Sequence, residues 1–140
     1  FQKHFYGPYS NQMAHLLYSL RGAYIIGLEQ RKNRPFDELG LRMDRKAELE
    51  TYIENELPAS ERKRLDQVLQ LVEGFQSPFG LEVLSTIDYL IAEGKGFDSA
   101  AIRAGLEAWS ARKARQIKDF HIERAVARLR ENAALLYPLS

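Results

Sequence analysis

Hydrophobic residues recur at helical spacing along most of this chain. The first series follows Ser10, a residue type that commonly caps a helix, and it stops before Gly22, which is placed to end one. Its members are Met13, Leu16, Leu17 and Leu20. Because apolar side chains three and four positions apart lie on one face of a helix, this segment is predicted to be the first helix.

Between Asp44 and Gly74 the same spacing predicts two more helices, separated by Pro58. Proline interrupts a helix because it has no backbone N–H to donate. Ser60 is expected to cap the second of these helices, and Gly74 is expected to close it. The apolar positions are Leu49, Tyr52, Ile53 and Leu57 in the first, and Leu65, Val68, Leu69 and Val72 in the second.

The most strongly apolar series follows the Ser77-Pro78 turn and stops at the loop Gly94-Lys95-Gly96. Its members are Leu81, Leu84, Ile87, Leu90 and Ile91. A helix with so many apolar positions has to be covered by other elements. We therefore expect it to be the most buried element of the fold.

Two helices are predicted to complete the chain. Asp98 or Ser99 caps the first of them, in which Gly105 would let a neighbouring helix approach closely because glycine has no side chain. The second begins near Asp119. Their apolar positions are Ile102, Leu106 and Trp109 in the first, and Ile122, Ala125, Val126, Leu129 and Ala133 in the second.

One short region favours strands instead. Residues 23–28 are β-prone, residues 30–35 form a polar loop, and residues 36–41 could pair with the first run. Together the patterns predict a mainly α fold: a compact bundle of about six helices with a small β-hairpin that gives a winged-helix-like N-terminal part. We expect a single domain over residues 1–140.

Size and composition agree with one globular unit. The chain has 140 residues, 45% of them hydrophobic, which is enough to bury a core. Its 20 basic and 19 acidic side chains leave a net charge of +1, which argues against a protein that coats DNA or anionic lipid. No apolar run reaches the roughly 18 residues that a membrane helix needs. The absence of cysteine excludes disulfides and thiolate metal sites and fits a cytoplasmic location.

No residue pattern indicates catalysis or a bound metal. His4, His15 and His121 are far apart in sequence, and none has the spacing that places two ligands on one ion. The glutamates at 48, 50, 54 and 56 alternate with apolar positions, as on the solvated face of a helix. No glycine loop of the phosphate-binding kind is present. We therefore expect no catalytic residue, no cofactor and no metal.

Charge is distributed unevenly along the chain. Residues 103–131 carry eight basic groups against four acidic ones, whereas residues 44–73 carry eight carboxylates against five basic groups. A segregated surface can orient a specific partner, although two ordinary solvated helix faces would give the same pattern. An acidic helix could also imitate a phosphate backbone for a DNA-binding partner.

The aromatic turn Tyr6-Gly7-Pro8-Tyr9 allows two interpretations. It could set the entry of the first helix and pack two rings on the core. Alternatively it could present exposed aromatic rings to a partner. Trp109 is expected in the core from its helical phase, and Arg112 and Lys113 are expected near a helix C-terminus, where cations complement the backbone dipole.

Several motifs occur in an order that covers nearly the whole chain. They are Tyr6-Gly7-Pro8-Tyr9, then Gly22 followed by Tyr24-Ile25-Ile26-Gly27, then Gly74-Phe75-Gln76-Ser77-Pro78-Phe79-Gly80-Leu81-Glu82-Val83-Leu84, and finally Trp109 with Arg112-Lys113. In this order they resemble the C-terminal, toxin-binding domain of the DarG antitoxin family.

The resemblance implies a two-part antitoxin. Its N-terminal macrodomain would remove ADP-ribose from DNA, and its C-terminal domain would bind and block the DarT toxin, an NAD-dependent ADP-ribosyltransferase acting on single-stranded DNA. The chain does not begin with Met, and we expect it to be a fragment without the macrodomain. It would then be an inhibitor protein and not an enzyme, would form a 1:1 complex with the toxin, and would block the DNA site sterically.

Two groups of residues are singled out on this basis. The predicted partner contacts are Tyr6, Tyr9, His15, Tyr18, Glu54, Glu56, Phe75 and Phe79. The predicted structural residues are Gly7, Pro8, Gly22, Gly74, Pro78, Gly80 and Trp109.

The alternative hypothesis is a DNA-binding module that regulates transcription. A helix entered by a tight turn and followed by a hairpin could form part of a winged helix, with Arg31, Lys32 and Arg34 on the wing. Direct binding to nucleic acid is expected on this hypothesis and not on the first one.

Overall fold

The computed structural model describes residues 1–27 and 39–138. In this part of the chain the fold is mainly α, with two small antiparallel strand pairs, which confirms the predicted fold class. The helices are α1 Asn11–Ser19, α2 Lys46–Asn55, α3 Ala59–Val72, α4 Pro78–Leu90, α5 Ser99–Trp109, α6 Ala111–Gln116, α7 Asp119–Glu131 and α8 Ala133–Leu136. The strands are β1 Gln2–His4, β2 Gly7–Tyr9, β3 Ile25–Ile26 and β4 Gly40–Leu41.

The chain divides into two compact units. The first unit comprises Phe1–Tyr9 and Asp66–Ser140, and the second comprises Ser10–Leu65. Helix α3 begins in the second unit and ends in the first. The expectation of a single domain over residues 1–140 stays a prediction.

The core of the first unit is built from α4, α5 and α7. As predicted, α4 is the most buried helix, and Ile87 and Leu90 are completely inaccessible to solvent. Leu81, which the pattern also placed in the core, is 42% exposed because it lies in the first turns of α4, on the side facing away from the packed helices. The core residues that α5 and α7 contribute are Ile102, Leu106, Ile122, Ala125, Val126 and Leu129, and Trp109 packs against this cluster.

Gly105 brings α5 close to α4, as the sequence predicts. A Cβ atom at this position would lie only 3.0 Å from Cδ2 of Leu90. Glycine thus permits an approach that a larger side chain would oppose, at some cost in helix propensity.

Gly80 permits an even closer approach, between the first turn of α4 and the preceding loop. A Cβ at Gly80 would lie 2.7 Å from the carbonyl oxygen of Phe75. We expect Gly80→Ala to lower the free energy of unfolding by about 1–3 kcal/mol, because backbone atoms cannot move aside as a side chain can. Gly105→Ala is the matched control, since its obstacle is the flexible Leu90 side chain. Equal urea midpoints for the two variants would contradict this account.

Two of the three predicted N-caps are confirmed, at Ser10 and Asp98, and Ser77 acts as a further cap that was not predicted. The side chains of Ser10, Ser77 and Asp98 accept hydrogen bonds from the backbone at the starts of α1, α4 and α5. The predicted cap Ser60 is wrong. It lies inside α3, whose first N–H groups donate to the carbonyl of Pro58 instead.

The apolar positions of α3 are also placed differently from the prediction. Leu65, Val68 and Leu69 are exposed, and the buried residue of this helix is Leu71. The end of α3 is fixed by Arg128, which donates to the carbonyls of Gln70, Leu71 and Glu73. Of the predicted apolar positions only Val72 packs against the core, beside the buried Leu71, so the helix was predicted correctly but most of its buried face was not.

Two strand pairs frame α1 in sequence. The predicted hairpin is confirmed in its described part, where Ile25 pairs with Leu41 and Ile26 with Gly40. Its loop, including Arg31, Lys32 and Arg34, lies outside the described residues. The pairing of β1 with β2 was not predicted, since this segment was interpreted as a turn only.

Helix α6 was missed by the sequence analysis. Ser110 caps it by accepting from the N–H of Lys113, so a new helix begins directly after Trp109. Arg112 and Lys113 are the second and third residues of this six-residue helix, so Arg112 lies near its start, whereas Lys113 also belongs to its last turn, as predicted. Both side chains form ion pairs with Glu82 of α4.

No helix in the described ranges is both long and apolar enough to cross a membrane.

Candidate functional site

An ion cluster lies between α4 and α6 in the first unit. Oε1 of Glu82 is 2.7 Å from Nζ of Lys113 and 2.6 Å from Nη1 of Arg112, which also donates through Nη2 to Oε2. The Lys113 side chain is fully buried and that of Glu82 is 9% exposed. Lys113 Nζ also lies 3.3 Å from Oγ1 of the buried Thr86. One carboxylate therefore pairs with two cations, the fully buried Lys113 and the 22% exposed Arg112, and the three groups together keep a net charge of +1.

Burial and hydrogen bonding act in opposite directions on these groups. Burial alone would raise the pKa of Glu82, but the hydrogen bonds from Arg112 and Lys113 outweigh it and hold the pKa below its ordinary value of 4.5. Burial lowers the pKa of Lys113, and the bond to Glu82 offsets only part of that effect. At neutral pH the carboxylate is thus ionised and held by its two partners.

This pairing predicts a loss of stability in acid. The unfolded carboxyl group takes up a proton at a higher pH than the folded one, so the contribution of Glu82 is complete above its ordinary pKa and is lost as the pH falls below it. We expect the difference in urea midpoint between the natural protein and Glu82→Gln to shrink between about pH 7 and about pH 3. A difference that stays constant across this range would contradict the assignment.

The strand pair β1–β2 is fastened to the same cluster. Trp109 Nε1 donates to the carbonyl of His4 at 3.0 Å, and Arg112 donates to the carbonyl of Phe5 at 3.3 Å. Gly7 is buried, and a Cβ there would lie 3.4 Å from Oγ of Ser85 on α4. Three of the sequence motifs therefore meet in one place, and their common role there is structural.

A pocket of about 360 Å³ opens elsewhere in the first unit. It lies between the loop that precedes α4, the first turns of α4 and one face of α7. Its lining residues are Glu73, Gly74, Phe75, Ser77, Phe79, Gly80, Val83, His121, Arg124, Ala127, Arg128 and Glu131. The structure thus brings together Phe75 and Phe79, two of the predicted contact residues, with His121 of α7.

His121 is held in a defined position at this pocket. Its Nδ1 accepts from the N–H of Lys118 at 3.0 Å, which caps the start of α7. Its ring centroid lies 5.3 Å from that of Phe79, edge to face, and 3.9 Å from that of Phe120. Burial, followed by the charges of Lys118 and Arg124, lowers the pKa of His121. The imidazole is therefore neutral at physiological pH and serves as an aromatic surface with Nε2 as a donor.

The second unit has a different character. None of its described residues, 10–27 and 39–65, is buried. Many of its large hydrophobic side chains are exposed by 39–67%: Met13, Leu16, Tyr18, Ile26, Leu39, Leu41, Met43, Tyr52 and Leu65. Monomeric soluble proteins rarely leave so much apolar surface uncovered without a partner.

The second unit also carries exposed carboxylates on and just after α2. Glu48 pairs with Arg45, just before α2, and Glu50 pairs with Lys46 in its first turn. Glu54 and Glu56 are exposed, and the described part of the chain provides no ion pair for either. A cleft of about 710 Å³ on α2 includes Glu48, Tyr52 and Glu56 in its lining.

The eight predicted contact residues are divided between the two units. Tyr6, Tyr9, Phe75 and Phe79 belong to the first unit, and His15, Tyr18, Glu54 and Glu56 belong to the second. Tyr9 is 44% exposed, so it does not pack on the core as one interpretation of the turn proposed. Whether these residues contact a partner stays a prediction.

The predicted structural residues occupy defined places. Gly22 and Gly74 have positive φ angles of 77° and 81°, after the ends of α1 and α3. Pro78 is the first residue of α4, and Pro8 pairs with Lys3 in the β1–β2 hairpin. Glu82, by contrast, had no assigned role. Its sequence signal was an acid among the apolar positions of α4, a helix that also contains Asp88.

Known proteins offer a comparison for this arrangement. No protein-family model matches the chain. It is 28% identical over 127 residues to the DNA ADP-ribosyl glycohydrolases of Mycobacterium tuberculosis and Mycobacterium bovis, and 29% identical over 130 residues to that of Thermus aquaticus. The chain resembles part of a DNA ADP-ribosyl glycohydrolase. This similarity supports the predicted relationship to DarG.

Each alignment covers most of this chain but only about a third of the relative. The alignments cover 89% of this chain and 36% of the mycobacterial glycohydrolases, and 93% of this chain and 35% of the Thermus aquaticus glycohydrolase. The chain therefore spans about a third of the length of these relatives.

Proposed function

We propose that this chain is an antitoxin domain that binds a DarT-type DNA ADP-ribosyltransferase and inhibits it sterically by blocking its single-stranded DNA site. The similarity to DNA ADP-ribosyl glycohydrolases supports the link to DNA ADP-ribosylation. The observation that carries the binding role is the apolar surface of the second unit, where large side chains are exposed and no described residue is buried.

Charge favours a partner that binds nucleic acid. A DNA-binding groove is basic because it has to neutralise phosphates. Glu54 and Glu56 on α2 are exposed and without ion pairs among the described residues, so they are available to basic groups of such a groove. Exposed apolar residues on the same unit would supply the area that charge alone does not.

The direct test is inhibition at stoichiometric ratio. A DarT-type transferase would be incubated with NAD and a single-stranded oligonucleotide, and incorporation of ADP-ribose would be measured as the domain is added. We expect labelling to stop at about one domain per transferase, and sedimentation to show a complex with one copy of each. Full labelling with excess domain would refute the proposal.

The second candidate is a DNA-binding module. The specific observation in its favour is the β3–β4 hairpin that follows α1, as a wing would. A mobility-shift titration with duplex DNA separates the two candidates. A DNA reader binds with an affinity that falls steeply as salt rises, whereas the proposed inhibitor leaves the duplex free while it stops the transferase.

A further inference from the structure

The pocket between the 74–80 loop and α7 is lined in part by aromatic rings. Three rings contribute to its lining, those of Phe75, Phe79 and His121. Gly74 and Ala127 also line it and leave room because they have little or no side chain. Its volume of about 360 Å³ lies at the lower end of the range for pockets that bind ligands. Aromatic pairs prefer edge-to-face or offset contacts, which a wall of several rings can provide.

The charges at this pocket select between classes of occupant. Arg128 is occupied by the carbonyls at the end of α3 and by Glu131 at 3.9 Å. Arg124 and Glu73 also line the pocket, and neither has an ion pair within the described residues. The pocket thus offers one available charge of each sign. A nucleic acid strand presents only negative phosphates, whereas a polypeptide can present a carboxylate beside an aromatic ring.

We propose that this pocket receives an aromatic side chain of the partner protein, with a partner carboxylate beside Arg124. The inference rests on the proposed function, in that the partner is the same transferase. It adds a second contact region to the one on the second unit, and it gives Phe75 and Phe79 a common role. Aromatic side chains in desolvated pockets commonly contribute a large share of binding energy at protein interfaces.

The test fills the pocket without removing any of its contacts. Ala127 lines the pocket on α7, and Ala127→Trp should occupy it. Ala104→Trp is the matched control, because Ala104 is also an exposed alanine inside a helix of the first unit but lies outside the pocket lining. Calorimetry with the cognate transferase should show a dissociation constant raised at least about 30-fold for Ala127→Trp and within about threefold for Ala104→Trp.

A second pair of variants tests the charge. Arg124→Glu should weaken binding by about tenfold, because it would repel the partner carboxylate. Arg115→Glu is its control, since Arg115 is exposed on α6 and does not line the pocket. Thermal unfolding of all four variants would show whether they remain folded, and the Arg124→Glu result decides the question if Ala127→Trp does not.

The outcomes separate this inference from the proposed function. If the natural protein binds the transferase and both pocket variants bind like their controls, the pocket assignment is wrong and the proposed function stands. If the natural protein does not bind the transferase, both are wrong. A labelled single-stranded oligonucleotide that binds the natural protein and is released by Ala127→Trp, while transferase binding persists, would overturn the inference in favour of a nucleobase.

Discussion

Replacement of Glu82 by alanine should lower the free energy of unfolding of the first unit by about 3–5 kcal/mol. The substitution leaves Lys113, whose side chain is fully buried, without its counter-charge, and it also removes the partner of Arg112. A buried charge without a partner is far more costly than a missing surface pair. Since small domains are stable by only about 5–15 kcal/mol, urea unfolding should detect the change easily.

Two further variants test whether the loss comes from the buried charge. Glu61→Ala removes a carboxylate from an exposed pair with Arg64 at 3.8 Å, and it should cost at most about 0.5 kcal/mol. Adding Lys113→Met to Glu82→Ala should recover part of the loss, because an apolar side chain of similar length tolerates the buried position. If Glu82→Ala were no more destabilising than Glu61→Ala, the cluster would not hold the first unit together.

The double substitution Met13→Asp with Leu16→Asp should raise the concentration of domain needed for half-inhibition of the transferase at least about 30-fold. These two residues lie three positions apart on one face of α1, and they are 46% and 52% exposed. Charges on that face would have to be desolvated when the partner binds. A carboxylate at position 13, in the first turn of α1, is favourable, whereas one at position 16, in the last turn, opposes the helix dipole, so helix content has to be measured beside inhibition.

The control for this prediction adds the same charge to the same helix. Asn11→Asp with Gln12→Asp changes two exposed polar residues of α1 and keeps both apolar side chains. It should inhibit nearly as well as the natural protein, and circular dichroism should show equal helix content for both double variants. Equal loss of inhibition in the two would mean that charge, and not the apolar face, explains the effect.

Local features of the fold could be predicted from sequence because their causes are local. Ser10 and Asp98 were predicted as caps from residue type and position, and each accepts from a backbone N–H three residues ahead, as does Ser77, which was predicted only as part of a turn. The prediction at Ser60 was wrong because α3 begins earlier than expected. The N–H groups of Glu61 and Arg62 donate to the carbonyl of Pro58, so Ser60 lies inside the helix.

The candidate sites could be predicted only in part. Phe75 and Phe79 were predicted as contact residues within the aromatic stretch around the start of α4, and they do line one pocket. His121 and Arg124 complete it from α7, more than forty residues later, and nothing in their own neighbourhood indicated that position. A pocket made by two distant segments depends on how those segments pack against each other. The spacing of residues within each segment carries no information about that packing.

The sequence by itself determined the described helices other than α6 and the short α8, the caps Ser10 and Asp98, the β3–β4 hairpin and the apolar core shared by α4, α5 and α7. Each follows from spacing within about one or two turns, where the periodicity of the backbone fixes which side chains share a face. Only the tertiary structure decided that Glu82 meets Arg112 and Lys113, and that Leu71 and not Leu69 is the buried residue of α3. Partners some thirty residues apart are joined by packing, because burial makes an unpaired charge too costly to leave alone.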